Sequence, residues 1–287
     1  MKADQIILAA DIGGSHITAG LIDVKSRALV SGSLQRRMVN ASGNAADILD
    51  SWSQLLCEAA TMHYSGIALA VPGPFDYQNG ISFMKDQGKY ESLYNLDVRE
   101  LLAQRLKVDQ EKIAFFNDAA SFLAGEIFAA GKTGSRVLLG VTLGTGLGTA
   151  ISVNSEVKSA DLWSSSFKKD IAEFYLSSKW FVQQYFQNTG HRVEGVKQLA
   201  ALSYVSREAA NIFQAFSYNL ADFLIEFIKA EKAEAVYVGG NIALARHLFW
   251  PVVKRIVSEA LPLVSLEISA LGEVACLYGA AKQCAEK

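Results

Sequence analysis

The sequence predicts an α/β protein, because short apolar stretches typical of buried strands alternate with longer stretches whose apolar residues recur at helical spacing. The chain has 287 residues, 51% of them hydrophobic, which is enough for the core of one large domain or two ordinary ones. Two hairpins with glycine-rich turns, about 130 residues apart, can face each other across a cleft and bind a triphosphate from both sides. These observations define the fold class and indicate where a ligand would bind.

The first hairpin lies at the start of the chain. Ile6 to Ile12 predicts a buried strand, Gly13-Gly14-Ser15-His16 a turn, and Ile17 to Val24 the returning strand. Asp11 lies inside the apolar strand, where an acid needs a partner or a cation because burying it alone is costly. The glycines would let backbone N–H groups approach phosphate oxygens, and Asp11 could hold Mg²⁺ or its waters. A Gly-Gly turn is also common in hairpins that bind nothing, so the pattern by itself leaves both interpretations open.

A stiff loop follows the next predicted strand. The pattern predicts a crossover helix over 45–64, a buried strand over 66–71 and, after Pro72-Gly73-Pro74, an irregular stretch over 75–94 before a helix over 98–106. Two prolines around a glycine cannot continue a strand, so the chain leaves the sheet there, either to shape a substrate pocket or as a plain turn. The irregular stretch carries four polar candidates for contact with a ligand, which are Lys85, Asp86, Gln87 and Lys89.

Asn117 and Asp118 lie where an apolar strand ends and a helix begins. Ile113 to Phe116 is β-prone, and 119–128 has apolar residues at helical spacing. A strand-to-helix junction holds side chains at the edge of a sheet, which is where open α/β sheets bind ligands. Asp118 is therefore our candidate for a catalytic base. Asn and Asp are also preferred N-cap residues, so a purely structural role is equally open at this point.

The second hairpin covers 136–153. Apolar strands flank the turn Gly144-Thr145-Gly146-Leu147-Gly148, which is the counterpart of the first turn. A dinucleotide-binding fingerprint would need a helix after the glycines, whereas 147–153 is β-like, so such a site is excluded. The sequence also lacks the P-loop pattern Gly-x-x-x-x-Gly-Lys-Ser/Thr.

The remainder of the chain continues the alternation of helices and strands. Helical spacing covers 170–187, 193–204 and 206–230, the last with an aromatic stripe that we assign to the core. A strand over 235–238 ends at Gly239-Gly240-Asn241, before a helix over 242–249. This double glycine either admits a flat base or simply forms a tight turn. A strand over 266–268 and a small-residue helix over 274–282 complete the pattern.

Composition and charge exclude several classes of protein. The net charge of −2 and the pI near 6.1 argue against a protein that binds nucleic acid through a wide basic face. Three widely spaced cysteines indicate a reduced protein rather than a disulfide framework or a zinc site. The N-terminus has no signal peptide, and no apolar stretch approaches the roughly 18 residues of a membrane span. We therefore expect a cytoplasmic protein with no nucleic-acid or membrane partner.

Six motifs occur in the order seen in one family of proteins. They are Asp11-Ile12-Gly13-Gly14-Ser15, Pro72-Gly73-Pro74, Asn117-Asp118-Ala119-Ala120, Gly144-Thr145-Gly146-Leu147-Gly148, Gly239-Gly240-Asn241, and Leu271-Gly272 with Gly279-Ala280-Ala281. Over nearly its whole length the chain thereby resembles the ROK family of bacterial sugar kinases and repressors. The resemblance implies the actin-like, ribonuclease H-like fold, in which two α/β domains enclose an interdomain cleft.

The resemblance also implies where the domains lie. The N-terminal α/β domain, 1–118, would hold the sugar side and the first phosphate hairpin. The C-terminal α/β domain, 119–287, would hold the second phosphate hairpin and the adenosine site, with the last helix, about 272–287, packing back on the first domain.

Many members of this family phosphorylate hexoses with ATP and Mg²⁺, so the resemblance implies a glucokinase-like kinase of a hexose or amino sugar. Asp118 would be the base, and Gly73, Asn117 and Asp118 would contact the sugar. Asp11 would hold Mg²⁺ through water. The nucleotide would be bound by Gly13, Gly14, Ser15, His16, Gly144, Thr145 and Gly146 at its phosphates and by Gly239, Gly240 and Asn241 at its adenosine.

Three departures from the family pattern alter the expected site. Members usually carry a Gly-Glu-x-Gly-His segment and a cysteine-rich zinc loop, whereas residues 159–170 of this chain contain neither His nor Cys. Zinc is therefore expected to be absent, and Asp161 is a candidate stand-in for the missing sugar ligands. The stretch 172–178 resembles the family's Leu-Glu-x-x-Ala-Ser-Gly, so Glu173 is expected to bind sugar. His16 replaces a common Lys, which would weaken phosphate binding.

Two alternatives to a kinase remain open. A repressor of the same family would carry an N-terminal helix-turn-helix, but only ten residues precede Asp11, so DNA binding is not expected. The other alternative is a non-catalytic or altered-substrate sugar-binding relative, because a wall of the pocket has been rebuilt. Family analogy also suggests a homodimer.

Overall fold

The computed structural model describes residues 5–86, 88–131 and 136–287, so the candidate Gln87 lies outside the described residues. Contacts divide the chain into two compact units, unit 1 (Met1–Thr133 with Glu273–Lys287) and unit 2 (Gly134–Gly272). Each unit has its own sheet and its own apolar core. None of the helices in the described ranges combines the length and the apolar character that a membrane span requires.

The elements follow the predicted alternation. The strands are β1 (Ile6–Ile12), β2 (His16–Asp23), β3 (Ala28–Leu29), β4 (Gln35–Met38), β5 (Gly66–Val71), β6 (Phe75–Asp76), β7 (Ile81–Ser82), β8 (Ile113–Asn117), β9 (Val137–Leu143), β10 (Leu147–Val153), β11 (Glu156–Ser159), β12 (Ser166–Phe167), β13 (Asp170–Ile171), β14 (Ala235–Gly239) and β15 (Ser265–Ile268). The α-helices are α1 (Ala45–Ala59), α2 (Val98–Leu106), α3 (Asp118–Ala129), α4 (Ala172–Leu176), α5 (Ser178–Thr189), α6 (Val196–Leu202), α7 (Arg207–Glu231), α8 (Trp250–Ala260) and α9 (Ala275–Ala285). Short 3₁₀ helices cover Glu91–Leu93, Gln110–Lys112, Leu162–Ser164, Asn241–Leu248 and Gly272–Val274.

The sheet of unit 1 has the strand order β3-β2-β1-β5-β8, with β4 paired to β2. β1 and β2 form the predicted antiparallel hairpin, whereas β1, β5 and β8 run parallel. The carboxyl ends of parallel strands meet at one edge of a sheet. The register pairs Asp11 with Ala70 and Val71 with Asn117, so Asp11, the loop after β5 and the start of α3 share that edge.

Helix α3 lies in unit 1, although the sequence analysis assigned it to the second domain. It packs against α9 at backbone distance: a Cβ added at Gly125 would lie 1.9 Å from the carbonyl oxygen of Ala275, and one added at Gly279 would lie 1.8 Å from that of Ser121. Any larger residue at either glycine would push the two helices apart. The chain accordingly divides after Thr133 and after Gly272, and not at residue 118.

The sheet of unit 2 has the strand order β11-β10-β9-β14-β15. β9 and β10 form the predicted second hairpin, and β14 runs parallel to both β9 and β15. Helix α7 turns its aromatic stripe into the core, where Phe213 and Phe216 are almost completely buried. The assignment of this stripe to the core is confirmed.

Two predicted helices of unit 2 differ from the structure. The helix expected over 170–187 is interrupted, because Ser177 is extended and Ser178 donates two hydrogen bonds, from its N–H (2.9 Å) and its Oγ (2.8 Å), to the carbonyl of Gly144. The helix expected over 242–249 is a 3₁₀ helix with a kink at Ala245. Helix α8, which follows it, was not identified from the sequence.

Candidate functional site

The first glycine turn is closed by one backbone hydrogen bond, from the N–H of Gly13 to the carbonyl of His16 (2.8 Å). The N–H groups of Gly14 and Ser15 donate to no residue that the structure describes. Ser15 Oγ lies 2.8 Å from His16 Nδ1, so these two candidate side chains contact each other. Adjacent N–H groups without an internal acceptor are the arrangement with which glycine-rich turns bind anions.

Tyr90 supports this turn from the interior, a contact that the sequence analysis missed. Its side chain is fully buried, its hydroxyl donates a 2.6 Å hydrogen bond to the carbonyl of Gly13, and its ring packs edge-on against Trp52 with ring centroids 5.2 Å apart. Burial raises the pKa of Tyr90, so the hydroxyl stays protonated and remains a donor. Tyr90 therefore holds the turn by the carbonyl of Gly13 and does not use the N–H groups of Gly14 and Ser15.

Asp11 and Asp118 form a pair of carboxylates at the edge of the sheet. Burial and then the negative charge of Asp118 raise the pKa of Asp11 to about 7, against an ordinary value of 3.8. A hydrogen bond from the thiol of Cys276 opposes this shift, while Glu273 raises the pKa and Arg36 lowers it. Arg36 and Glu273 are themselves paired at 3.0 Å. Acids whose pKa is shifted this far by burial and a neighbouring charge are typical of functional sites.

The thiol of Cys276 contacts both acidic residues. Its Sγ is 3.6 Å from the backbone carbonyl oxygen of Asp118 and also hydrogen-bonds the carboxyl group of Asp11. Burial and then the charges of the two acids raise the pKa of this thiol well above its usual range, so it is protonated and can donate. No local pattern could have revealed this contact, because Cys276 and Asp118 are 158 positions apart in the sequence.

Asn117 is the N-cap of α3. Its Oδ1 accepts the N–H of Ala120 (2.9 Å), so the structural role considered for this residue is confirmed. Its Nδ2 donates to the hydroxyl of Tyr77 (3.0 Å), and a Cβ added at Gly73 would lie 3.4 Å from the same hydroxyl oxygen. The hydroxyl of Tyr77 thus bonds one candidate sugar-binding residue, Asn117, and lies near another, Gly73, that is far from it in the sequence.

Asp118 is the first residue of α3 and not its cap. Its Oδ1 accepts the N–H of Ala119 (2.8 Å), and the side chain keeps intermediate exposure. A negative charge is stabilised at the N-terminus of a helix. Because Asn117 performs the capping, the carboxylate of Asp118 is not required for that purpose.

The second glycine turn is closed by a hydrogen bond from the N–H of Gly144 to the carbonyl of Gly146 (3.0 Å). Within the described part of the chain, the N–H groups of Thr145 and Gly146 have no acceptor. Glu173, on α4, joins this turn: its Oε2 accepts the N–H of Leu147 (3.0 Å). The second turn therefore has the same pair of open donors as the first, with a carboxylate beside them.

The adenosine candidates lie next to the second turn. Gly240 has φ of +89°, and a Cβ there would lie 2.3 Å from the carbonyl oxygen of Leu143, the last residue of β9. This close approach explains why residue 240 is a glycine. Gly239 ends β14 and is buried, whereas Asn241 begins the 3₁₀ helix and is exposed.

The segment that departs from the family pattern is held by side chains. Phe167, on the hairpin of β12 and β13, is 3% exposed and packs edge-on against Tyr175 and Phe223. The next residue, Lys168, binds Asp222 (3.0 Å) on α7. Asp161 is exposed at the start of a 3₁₀ helix, and its Oδ1 accepts the hydroxyl of Ser159 (2.7 Å).

The chain is similar to proteins of one family. The model of the ROK family matches residues 7–160. No curated protein matches the chain. Solved structures superpose over nearly its whole length. One is a ROK family glucokinase from Streptomyces griseus in complex with glucose and AMPPNP. The superposition has a TM-score of 0.81 at 18% sequence identity, and it covers 98% of this chain and 100% of the glucokinase chain.

Two further structures show the range of proteins with this fold. An inorganic polyphosphate/ATP-glucomannokinase from an Arthrobacter species has a TM-score of 0.74 and 21% identity, with 99% of each chain covered. A ROK family transcriptional regulator, homologous to the MLC protein of Escherichia coli, has a TM-score of 0.75 and 14% identity, with 98% of this chain and 78% of that chain covered. At these identities the similarity shows the fold, and the predicted fold class, the actin-like fold of ROK sugar kinases, is confirmed.

Proposed function

Because the chain belongs to the ROK family, we propose that it is an ATP-dependent kinase that phosphorylates a hydroxyl of a hexose or an amino sugar. The observation that carries the proposal is the pair of carboxylates, Asp11 and Asp118, at the sheet edge where the first glycine turn begins. Phosphoryl transfer depends mainly on positioning and on stabilisation of charge, which fixed carboxylates and open N–H groups supply. The glucokinase and glucomannokinase that share the fold support this choice of reaction.

In this proposal Asp118 is the general base. Its carboxylate accepts the proton of the sugar hydroxyl as the hydroxyl oxygen attacks the terminal phosphorus of ATP, and the bond from that phosphorus to the leaving oxygen of ADP breaks. Such a base contributes about 10²–10⁴ in rate. Gly73 and Asn117 would contact the sugar, because Asn117 bonds the Tyr77 hydroxyl beside the start of α3 and the open side of Gly73 faces the same hydroxyl.

The carboxylate pair also suits Mg²⁺. Among the described residues there is no group of three or more His, Cys, Asp and Glu that could hold a metal. Mg²⁺ is, however, usually held by one or two carboxylates, with waters and substrate phosphates as its other ligands. Asp11, whose pKa is raised by burial and then by the charge of Asp118, would hold the ion through water. When bound, Mg²⁺ would neutralise negative charge on the phosphates.

The second unit would contribute further contacts to the substrates. The open N–H groups of Thr145 and Gly146 would bind phosphate in unit 2, as those of Gly14 and Ser15 would in unit 1, with His16 beside them. The N–H groups of Gly13 and Gly144 close the two turns, so these glycines would line the phosphates without donating to them. Glu173 has one oxygen on the N–H of Leu147 and would use the other to accept a sugar hydroxyl. Gly239, Gly240 and Asn241 would contact the adenosine, and Asp161 stays the candidate replacement for the family's missing sugar ligands.

The replacement of Asp118 by Asn tests the proposal. We expect Asp118→Asn to bind ATP and sugar but to lose about 10²–10⁴ in kcat, because the amide cannot accept the proton. Asp97→Asn is the matched control, since Asp97 caps α2 through the N–H of Glu100 (2.9 Å) and Asn caps equally well. Turnover of Asp118→Asn close to that of the wild type would rule out the assignment.

The rebuilt segment 159–173 favours a second candidate, a sugar-binding relative without kinase activity. An ADP-release assay over glucose, N-acetylglucosamine, N-acetylmannosamine, mannose and fructose distinguishes the two. If no sugar releases ADP above background while calorimetry detects sugar binding, the binding protein is favoured. Family analogy also leads us to propose a cytoplasmic homodimer, and light scattering in solution tests the dimer.

A further inference from the structure

Lys89 lies against the first glycine turn. Its Cδ is 3.6 Å from the position that a Cβ of Gly14 would take, and only Cε and Nζ lie beyond that atom. The residue is partly buried, and its ammonium makes no hydrogen bond or ion pair with the residues that the structure describes. A lysine with a packed stem and an unpaired ammonium is a cation available to a ligand.

The neighbours of Lys89 hold its backbone beside the turn. Tyr90 follows it, and besides the bond from its hydroxyl to Gly13 it donates its N–H to the carbonyl of Ala41 (2.6 Å). Gly88 precedes it, and its N–H donates to Oε1 of Glu91 (2.9 Å). Lys89 therefore lies between two residues whose backbones are held by hydrogen bonds. These bonds keep its side chain beside Gly14.

The other charges at this site leave a bound phosphate short of a cation. Asp11 and Asp118 are both acidic, and Arg36 is paired with Glu273 at 3.0 Å. His16 directs its Nδ1 to the hydroxyl of Ser15. A polyphosphate held by the open N–H groups of this turn would therefore meet two carboxylates, and a free ammonium nearby would offset that repulsion.

We propose that the ammonium of Lys89 binds a phosphate oxygen of the polyphosphate chain held at Gly14 and Ser15. The phosphate-binding lysine then comes from the loop before α2 and not from the first hairpin, where His16 stands in place of a lysine. The identity of the anion as the phosphates of ATP rests on the proposed function. The role of Lys89 as a phosphate ligand does not rest on the proposed function, because that role is inferred from the position of Lys89 beside the turn.

The test compares three variants by calorimetry without added Mg²⁺, using sodium tripolyphosphate and ATP as probes. We expect Lys89→Met to weaken binding of both probes by about 10- to 100-fold, as the loss of one charge-assisted hydrogen bond implies. Lys89→Arg should bind within a few-fold of the wild type, and binding by Lys89→Met should depend less steeply on salt. Lys25→Met, which removes an exposed lysine after β2, is the control and should bind as the wild type does.

The outcomes separate the two proposals. Weaker binding by Lys89→Met, with a melting temperature like that of the wild type, supports the assignment even if the wild-type protein transfers no phosphate to any sugar. Equal binding by Lys89→Met and Lys25→Met overturns it even if the wild type is an active kinase. Failure of the wild type to bind either probe also overturns it, and the ADP-release assay then decides the proposed function by itself.

Discussion

Replacing Asp11 by Asn is expected to stabilise the ligand-free protein at pH 8 more than at pH 5. The folded state raises the pKa of Asp11 from an ordinary 3.8 to about 7, so folding favours the protonated acid. A group of this kind contributes stability that is complete below its unfolded pKa and is lost as the pH rises through its folded pKa. Asn carries no charge at any pH, so the variant escapes this loss.

The two pKa values determine the size of the effect. With 3.8 in the unfolded chain and about 7 in the folded one, ionisation of Asp11 opposes folding by about 2 kcal/mol at pH 5 and about 4 kcal/mol at pH 8. The difference, roughly 2–3 kcal/mol, is the upper limit of the relative gain by the variant. An amide N–H of Asn left without an acceptor would cost about 1–3 kcal/mol, but this cost is the same at both pH values and cancels.

The measurement is a pair of melting temperatures for each protein, at pH 5 and pH 8, in buffer with EDTA. The wild type should lose about 5–10 °C relative to Asp11→Asn between the two pH values. Glu111→Gln, which neutralises an exposed acid of the same unit, is the control for the remaining titrating groups. An identical pH dependence for the wild type and Asp11→Asn would show that Asp11 is not an acid of raised pKa, and would remove this support for a cation site.

Two further predictions concern unit 2. Gly240→Ala should lower the free energy of unfolding by more than about 3 kcal/mol, because the new Cβ would lie 2.3 Å from a backbone atom. Gly190→Ala is the control: Gly190 also has a positive φ but has open space around it, so the loss should be about 1 kcal/mol. Urea unfolding measures both losses, and similar values would contradict the packing argument. Phe167→Ala should lower the free energy of unfolding by about 3–5 kcal/mol, because aromatic packing holds the hairpin of β12 and β13. For the same reason, the chelator 1,10-phenanthroline should leave the melting temperature of the wild type unchanged. A lower melting temperature with the chelator would indicate a structural metal.

The Asp11 and Lys89 predictions describe one electrostatic arrangement. The raised pKa of Asp11 means that its ionisation lowers the stability of the ligand-free protein, and the ammonium of Lys89 has no partner among the described residues. In the proposed complex, both groups would become favourable because a cation and a polyanion would be bound beside them. Active sites commonly carry such a stability cost, because groups arranged for a charged ligand are poorly compensated without it.

Local sequence pattern was sufficient for the two hairpins and their turns. A strand, a glycine turn and a returning strand depend on residues that are adjacent in the chain, and the structure shows β1 with β2 and β9 with β10 as predicted. Local sequence pattern gave a wrong helix boundary where a residue far away in the sequence forms a hydrogen bond with the helix. The helix expected over 170–187 breaks at Ser177, because Ser178 bonds the carbonyl of Gly144, which is 34 positions away.

The sequence by itself determined the α/β class, the order of the motifs and the presence of acids and glycine turns suited to phosphate chemistry, since each of these depends on composition and short-range spacing. Only the tertiary structure decided that the thiol of Cys276 contacts both Asp11 and Asp118, and that the side chain of Lys89 lies beside Gly14. These contacts join residues from separate parts of the chain. They form only when α9 packs against α3 and the loop before α2 closes onto the first turn, and no interaction between neighbours in the sequence specifies either event.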